Sequence, residues 1–214
     1  MPTEQAEKSV FGPFQQLLDI GGPILVLLLV VSVFTLALVV YKTMQYAAAR
    51  VGSRRDVRSG LKALAEGDQA RARQAFDKSK HFLAPVFGLG LQLEPGAAST
   101  ARLEAEAEQR LVPLERGFRI LDTVAQLAPL LGLLGTVLGM IEAFQALQSA
   151  GSQVDPTVLA GGIWVALLTT AAGLTVAMPT SVALSWFESR IEAERLLAEY
   201  VFSVIAAPTG TTGV

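Results

Sequence analysis

The 214-residue sequence contains no cysteine. Disulfides and thiolate metal sites are therefore excluded, and the redox compartment stays open. It contains one histidine, His81, which rules out a multi-histidine metal centre. With no second ligand near it in sequence, His81 is expected to pack or to face solvent. Charge is also scarce: 17% of residues are charged against 51% hydrophobic, with a mean hydropathy of +0.46. What charge there is falls unevenly, leaving long windows with none. That distribution describes a membrane protein with an attached water-facing part. The net charge of −2 points to no particular partner. No cleavable signal peptide is expected, because the first apolar run starts about twenty residues in and is too long for an h-region. No internal repeat is visible.

Gly21-Gly22-Pro23 punctuates the start, and Ile24 to Val40 is apolar apart from Ser32 and Thr35, with Tyr41 and Tyr46 beyond it. This reads as a first transmembrane helix with interfacial tyrosines. It carries no ionisable group, so an outer, lipid-facing role is expected. Lys42, Arg50, Arg54, Arg55, Arg58 and Lys62 then follow closely, whereas the N-terminal flank holds only Lys8. By the positive-inside rule the N-terminus lies outside and the next region is cytoplasmic. From Lys42 to Arg119 there are 14 Lys/Arg against 9 Asp/Glu. Interleaved acidic residues and the lack of an aromatic platform make this a headgroup-facing, topogenic flank and not a nucleic-acid patch.

The region after the flank is predicted to be helical. Val57, Leu61, Leu64 and Ala65 recur at helical spacing, Gly67-Asp68 marks a turn, and a second helix is expected from Gln69 to Ser79. Pro85 breaks or opens a helix within the apolar stretch from His81 to Leu93. Glu94-Pro-Gly-Ala-Ala-Ser-Thr100 is a loop signal, with Ser99 or Thr100 as N-cap. Leu103, Ala107, Leu111, Leu114 and Phe118 then repeat at steps of three and four, predicting a long helix that runs straight into the membrane and bends at Pro113.

From Thr123 to Leu147 only Glu142 is ionisable, and Val158 to Phe187 has no charge over 30 residues, about 45 Å of helix. Within these two spans, Gly132, Gly135, Thr136 and Gly139 form one ridge of small residues, and Ala166, Thr170, Gly173 and Ala177 another. Small residues allow close helix approach in lipid. The threonines can bond back to their own helix or donate to water in a hydrated seam. Pro129 and Pro179 each release a carbonyl, at Ala125 and Thr175. Glu142 is a candidate for ion handling as the one carboxylate well inside a span, but it sits near the outer end, where snorkelling is cheap. It projects about 120° around the helix from Thr136.

The stretch Ala128-Pro-Leu-Leu-Gly-Leu-Leu-Gly-Thr136-Val-Leu-Gly-Met140, followed by Leu167-Leu-Thr-Thr170-Ala-Ala-Gly-Leu174-Thr-Val-Ala-Met-Pro179, resembles the signature of the MotA/TolQ/ExbB family, in its short ExbB-type form. The resemblance implies a homopentamer in a bacterial inner membrane. Its second and third spans would line a pore around two single-span ExbD/TolR-like subunits, with a TonB-like periplasm-spanning protein as a further partner. The pore-lining threonines of the family map onto Thr136 and Thr170, and the protonatable aspartate belongs to the partner. One departure stands out: where the family usually carries a glutamate, this chain has Val165.

The expected fold is thus an all-α membrane protein with three transmembrane helices and long cytoplasmic helical extensions. The expected parts are a periplasmic segment (1–19), a first span (20–46), a cytoplasmic helical region (47–119), a second span (120–147), a periplasmic loop (148–157), a third span (158–187) and a cytoplasmic helix with its tail (188–214). The expected function is a proton-conducting stator with no cofactor, metal or nucleic-acid partner. The rival is a non-conducting scaffold, for which Val165 is the best support. An enzyme is rejected, since no histidine, cysteine or paired carboxylates converge within a span. The process energised stays open among iron-siderophore uptake, envelope maintenance, gliding and polymer export.

Overall fold

The computed structural model describes residues 3–150 and 156–206, so residues 151–155 of the predicted outer loop and the C-terminal tail lie outside the described residues. In order the helices are α1 (Thr3–Ala48), α2 (Arg55–Ala65), α3 (Gln69–Lys78), α4 (Ala84–Gly90), α5 (Ala97–Glu115), α6 (Phe118–Ala150) and α7 (Pro156–Ala206). Among the described residues there is no strand. Among the described residues three stretches are long and apolar enough to cross a membrane: Gly22–Ala48, one within Ala97–Ser149 and one within Leu159–Ala206. The chain divides into two compact units, residues 1–39 with 117–184, and residues 40–116 with 185–214.

The first unit is apolar. α1 turns sharply at Gly22, whose φ of 64° lies in the left-handed region, a conformation glycine adopts without a Cβ penalty. Pro23 enforces the break, because proline disfavours a helical conformation in the residue before it. Past the kink, Leu28 packs against Ala128 of α6 and Ala177 of α7, with Ile24, Leu131 and Val176 around them. The outward faces stay greasy: Leu36 is 65% exposed and Val182 71%. Helices apolar all round need lipid or further helices to cover them.

The second unit has a conventional core. Val57 and Leu64 of α2, Phe76 of α3, Val86 and Phe87 of α4, Leu103 and Ala107 of α5, and Val201 and Phe202 of α7 are buried together. The turn read at Gly67-Asp68 is present: Gly67 has φ 79°, and the Asp68 carboxylate accepts from the Arg71 N–H to cap α3. Pro85 opens α4, sitting in its first turn, where its missing N–H costs nothing.

Four expectations need correction. Neither Ser99 nor Thr100 caps α5: the N-cap is Gly96, and the two hydroxyls donate back to the Glu94 and Gly96 carbonyls. The helix after Leu103 does not run on unbroken, since it stops at Glu115 and restarts at Phe118. The break is at Gly117, φ 92°, and not at Pro113, which lies inside α5. Lys42 is not a headgroup-facing cation. It is 1% exposed, and its ammonium donates to Leu114 O at 3.0 Å and Gln45 Oε1 at 2.8 Å. Gln45 in turn donates to Pro113 O at 3.4 Å. The two side chains satisfy carbonyls that the end of α5 leaves without an intrahelical partner. Tyr46 is likewise buried and not interfacial, its ring edge-on to Phe187 at 5.0 Å.

Candidate functional site: the α6–α7 seam

The two small-residue ridges meet face to face within the first unit. A Cβ on Gly132 would lie 2.8 Å from the Thr169 carbonyl oxygen and 3.0 Å from Thr170 Cα. One on Gly135 would lie 2.6 Å from Thr169 Oγ1, and one on Gly173 would overlap the Ala128 carbonyl oxygen. Gly139 faces Ala166, and Ala177 belongs to the cluster with Leu28 and Ala128. Backbone approach of this kind is available only where side chains are absent or minimal, and it supplies the packing that holds helices together in lipid. Pro129 is half-buried and Pro179 exposed, each inside its helix.

The threonines divide into two kinds. Thr136 is half-buried and donates to Leu133 O of its own helix at 2.7 Å. Thr170 is also half-buried, and its hydroxyl crosses to Gly132 O at 3.3 Å. That is long for an O–H···O bond, which is normally 2.5–3.0 Å, so the hydroxyl is loosely held. Sequence reading missed Thr169, which is 1% exposed and donates to Ala166 O at 2.7 Å and Gly132 O at 3.3 Å. Its signal was the doubled Thr169-Thr170 pair: neighbouring residues diverge by 100° on a helix, so only one could occupy a given line. Glu142 is exposed, as are Leu133, Val137 and Leu167 around the hairpin. Val165, half-buried on α7, brings no charge to the seam.

A second polar constellation, in the second unit, also escaped the sequence. His81 Nδ1 accepts from the Leu83 N–H at 3.3 Å, which leaves the ring proton on Nε2. Nε2 lies 2.9 Å from Glu194 Oε2, with both side chains at most 1% exposed. The other Glu194 oxygen accepts from the Gly52 N–H at 3.0 Å and faces Arg54 at 3.7 Å. One carboxylate thus fastens the α1–α2 connection and the start of α4 to α7. Among the described residues no group of three or more His, Cys, Asp or Glu is placed to hold a metal.

Residues 78–199 match the model of the MotA/TolQ/ExbB proton channel family, a span that contains α6 and most of α7. An ExbB-like biopolymer transport protein of Synechocystis sp. is 36% identical over 163 residues, covering 74% of this chain and 64% of that protein. A second ExbB-like protein of the same organism is 31% identical over 173 residues, 79% of this chain and 82% of the relative. The Tol-Pal system protein TolQ of Haemophilus influenzae is 41% identical over 80 residues, 37% of this chain and 35% of TolQ. The chain thus spans just under two thirds of the first relative's length and about a third of TolQ. A membrane hairpin whose small residues interlock around threonines lies inside the matched region, and the chain belongs to the MotA/TolQ/ExbB proton channel family.

Proposed function

We propose that this chain is the stator subunit of a proton-driven motor in a bacterial inner membrane, with its N-terminus periplasmic and its C-terminus cytoplasmic. Five copies enclose the membrane helices of two ExbD/TolR-like single-span chains, and proton flow through the complex drives rotation. A TonB-like partner spanning the periplasm takes up the force to energise envelope transport or a related process. The chain contributes no covalent chemistry.

The observation that carries this reading is the threonine-bearing α6–α7 seam. Close backbone packing makes the hairpin a stiff wall, and two half-buried hydroxyls give that wall a thin polar line. Thr136 Oγ1 donates to its own helix and keeps lone pairs for a water or a carboxyl proton. The long Thr170 bond can be exchanged for one to water at little cost. Among the described residues no carboxylate lies within the seam, and in this reading the group that gains and loses the proton comes from the partner chain. Glu142 is exposed near the end of α6, and in this reading it meets protons at the outer mouth and does not relay them along the seam.

A second reading, a non-conducting scaffold that positions the partner, draws on Val165. Proteoliposomes containing the chain and its single-span partner separate the two. A motor admits protons down an imposed pH gradient when both chains are present and not with either alone. Flux that appears only after Val165→Glu would favour the scaffold.

A further inference from the structure

In the second unit, α5 and α7 border a groove of about 420 Å³ with small alanines, Ala101, Ala105 and Ala198, along it. Its rim is acidic. Glu104 and Glu108 lie on the α5 side and Glu199 on the α7 side. Arg195, the one cation lining the groove, is already shared by three carboxylates. It is 3.2 Å from Glu108, 2.9 Å from Glu115 and 3.3 Å from Glu192. One guanidinium cannot neutralise three carboxylates, and Glu104 and Glu199 add two more, so this face keeps a strong negative excess. Among the described residues no group of three or more His, Cys, Asp or Glu is placed to hold a metal.

The same chain carries a basic complement on α2. Arg55, Arg58 and Lys62 are exposed at i, i+3 and i+7, one stripe of the helix with Ser59 between them. Among the described residues Arg55 and Arg58 are within 4.0 Å of no carboxylate, and Glu66, the acid in line with them, is shared by Lys62 at 3.9 Å and Arg71 at 3.4 Å. On α5, Ala101, Glu104, Ala105 and Glu108 repeat the same spacing with opposite charge. The basic stripe and the acidic groove do not satisfy each other within one chain, so each is free to meet its counterpart on another.

We infer that the α5–α7 groove receives the basic face of α2 from a second copy of this chain. This head-to-tail contact uses two different surfaces, so it propagates from copy to copy instead of ending at a dimer, and closes into a ring when the rotation between copies closes. The inference rests on the ring-forming reading above and names the surfaces that set its direction. Opposite charge supplies register and suppresses the two-fold alternative, which would bring like charges together.

The absence of cysteine makes the test direct. Ser59→Cys and Ala105→Cys are introduced into separately tagged full-length chains, co-expressed with the single-span partner, and oxidised in native membranes. A disulfide joining the two tags is expected. With both cysteines in one chain, a ladder of covalent oligomers should appear. Arg58→Glu or Glu104→Lys alone should lower the yield about tenfold, and the two together should restore it. Ser59→Cys chains that cross-link to one another would overturn the inference in favour of a two-fold contact. Absent cross-links with intact oligomers by native mass spectrometry would also overturn it while leaving the ring standing. Loss of every oligomer, wild type included, would bring down the ring reading itself.

Discussion

Gly132, Gly135 and Gly173 face atoms of the opposite helix that cannot all move aside. Thr169 Oγ1 could rotate away from a new methyl on Gly135, but the Thr169 carbonyl beside Gly132 and the Ala128 carbonyl beside Gly173 are backbone. Adding a methyl there must separate two helices or bend one. Gly173→Ala and Gly132→Ala are each expected to destabilise the protein by about 1–3 kcal/mol, the usual cost of overpacking. Gly161, which has nothing within 4 Å of its would-be Cβ, serves as the control: Gly161→Ala should be near neutral. Thermal unfolding in detergent checks the order. At this scale the site was partly legible. The glycine ridge was readable because small residues at helical spacing mean close approach whatever the fold. Which threonine points into the contact was not, because helical rotation places Thr169 and Thr170 on different lines and only the partner helix decides between them.

Between elements, the buried Glu194 carboxylate does what no sequence pattern announced. It joins the connection at Gly52, the side chain of Arg54, and His81 ahead of α4 to the middle of α7. Glu194→Ala leaves the His81 N–H and the Gly52 N–H facing an apolar gap. Removing one member of a buried pair costs about 3–5 kcal/mol, here toward the lower end because Arg54 can reach water. Trypsin cleavage after Arg50, Arg54 and Arg55 should therefore quicken by about tenfold or more in Glu194→Ala, as local opening grows more frequent. Glu194→Gln keeps one amide oxygen for one of the two N–H groups and sets an NH2 against the other, so its rate should fall between wild type and Glu194→Ala.

The same scale explains which element boundaries were legible. α2, the Asp68 cap and α3 were readable from periodicity and turn chemistry, which are local. The break at Gly117 was not, because Leu111, Leu114 and Phe118 keep the apolar repeat going across it. Lys42 was misread for a related reason. A lysine just past an apolar run ordinarily snorkels to headgroups, and only the fold shows that the end of α5 presents carbonyls to it.

Over the whole molecule, the proposed orientation predicts where each part meets water. A cysteine at Ser149 should react with a membrane-impermeant maleimide added from the periplasmic side, and one at Ser59 should react only after permeabilisation. The reverse pattern would invert the proposed orientation. The three apolar spans were plain in the sequence because a bilayer imposes length and composition directly. The Arg195 network and the groove it borders were not, because they join residues some 80 positions apart.

The central claim is that the threonine line of the α6–α7 seam is part of a proton path completed by a partner chain. It is tested most directly by proton uptake into proteoliposomes holding this chain with its single-span partner under an imposed pH gradient. Wild type should conduct, and Thr136→Val/Thr170→Val should lose about tenfold or more of the flux, ~1.4 kcal/mol or more on the barrier, with unchanged assembly by native mass spectrometry. Equal flux from the two, or silence from both, would contradict the account.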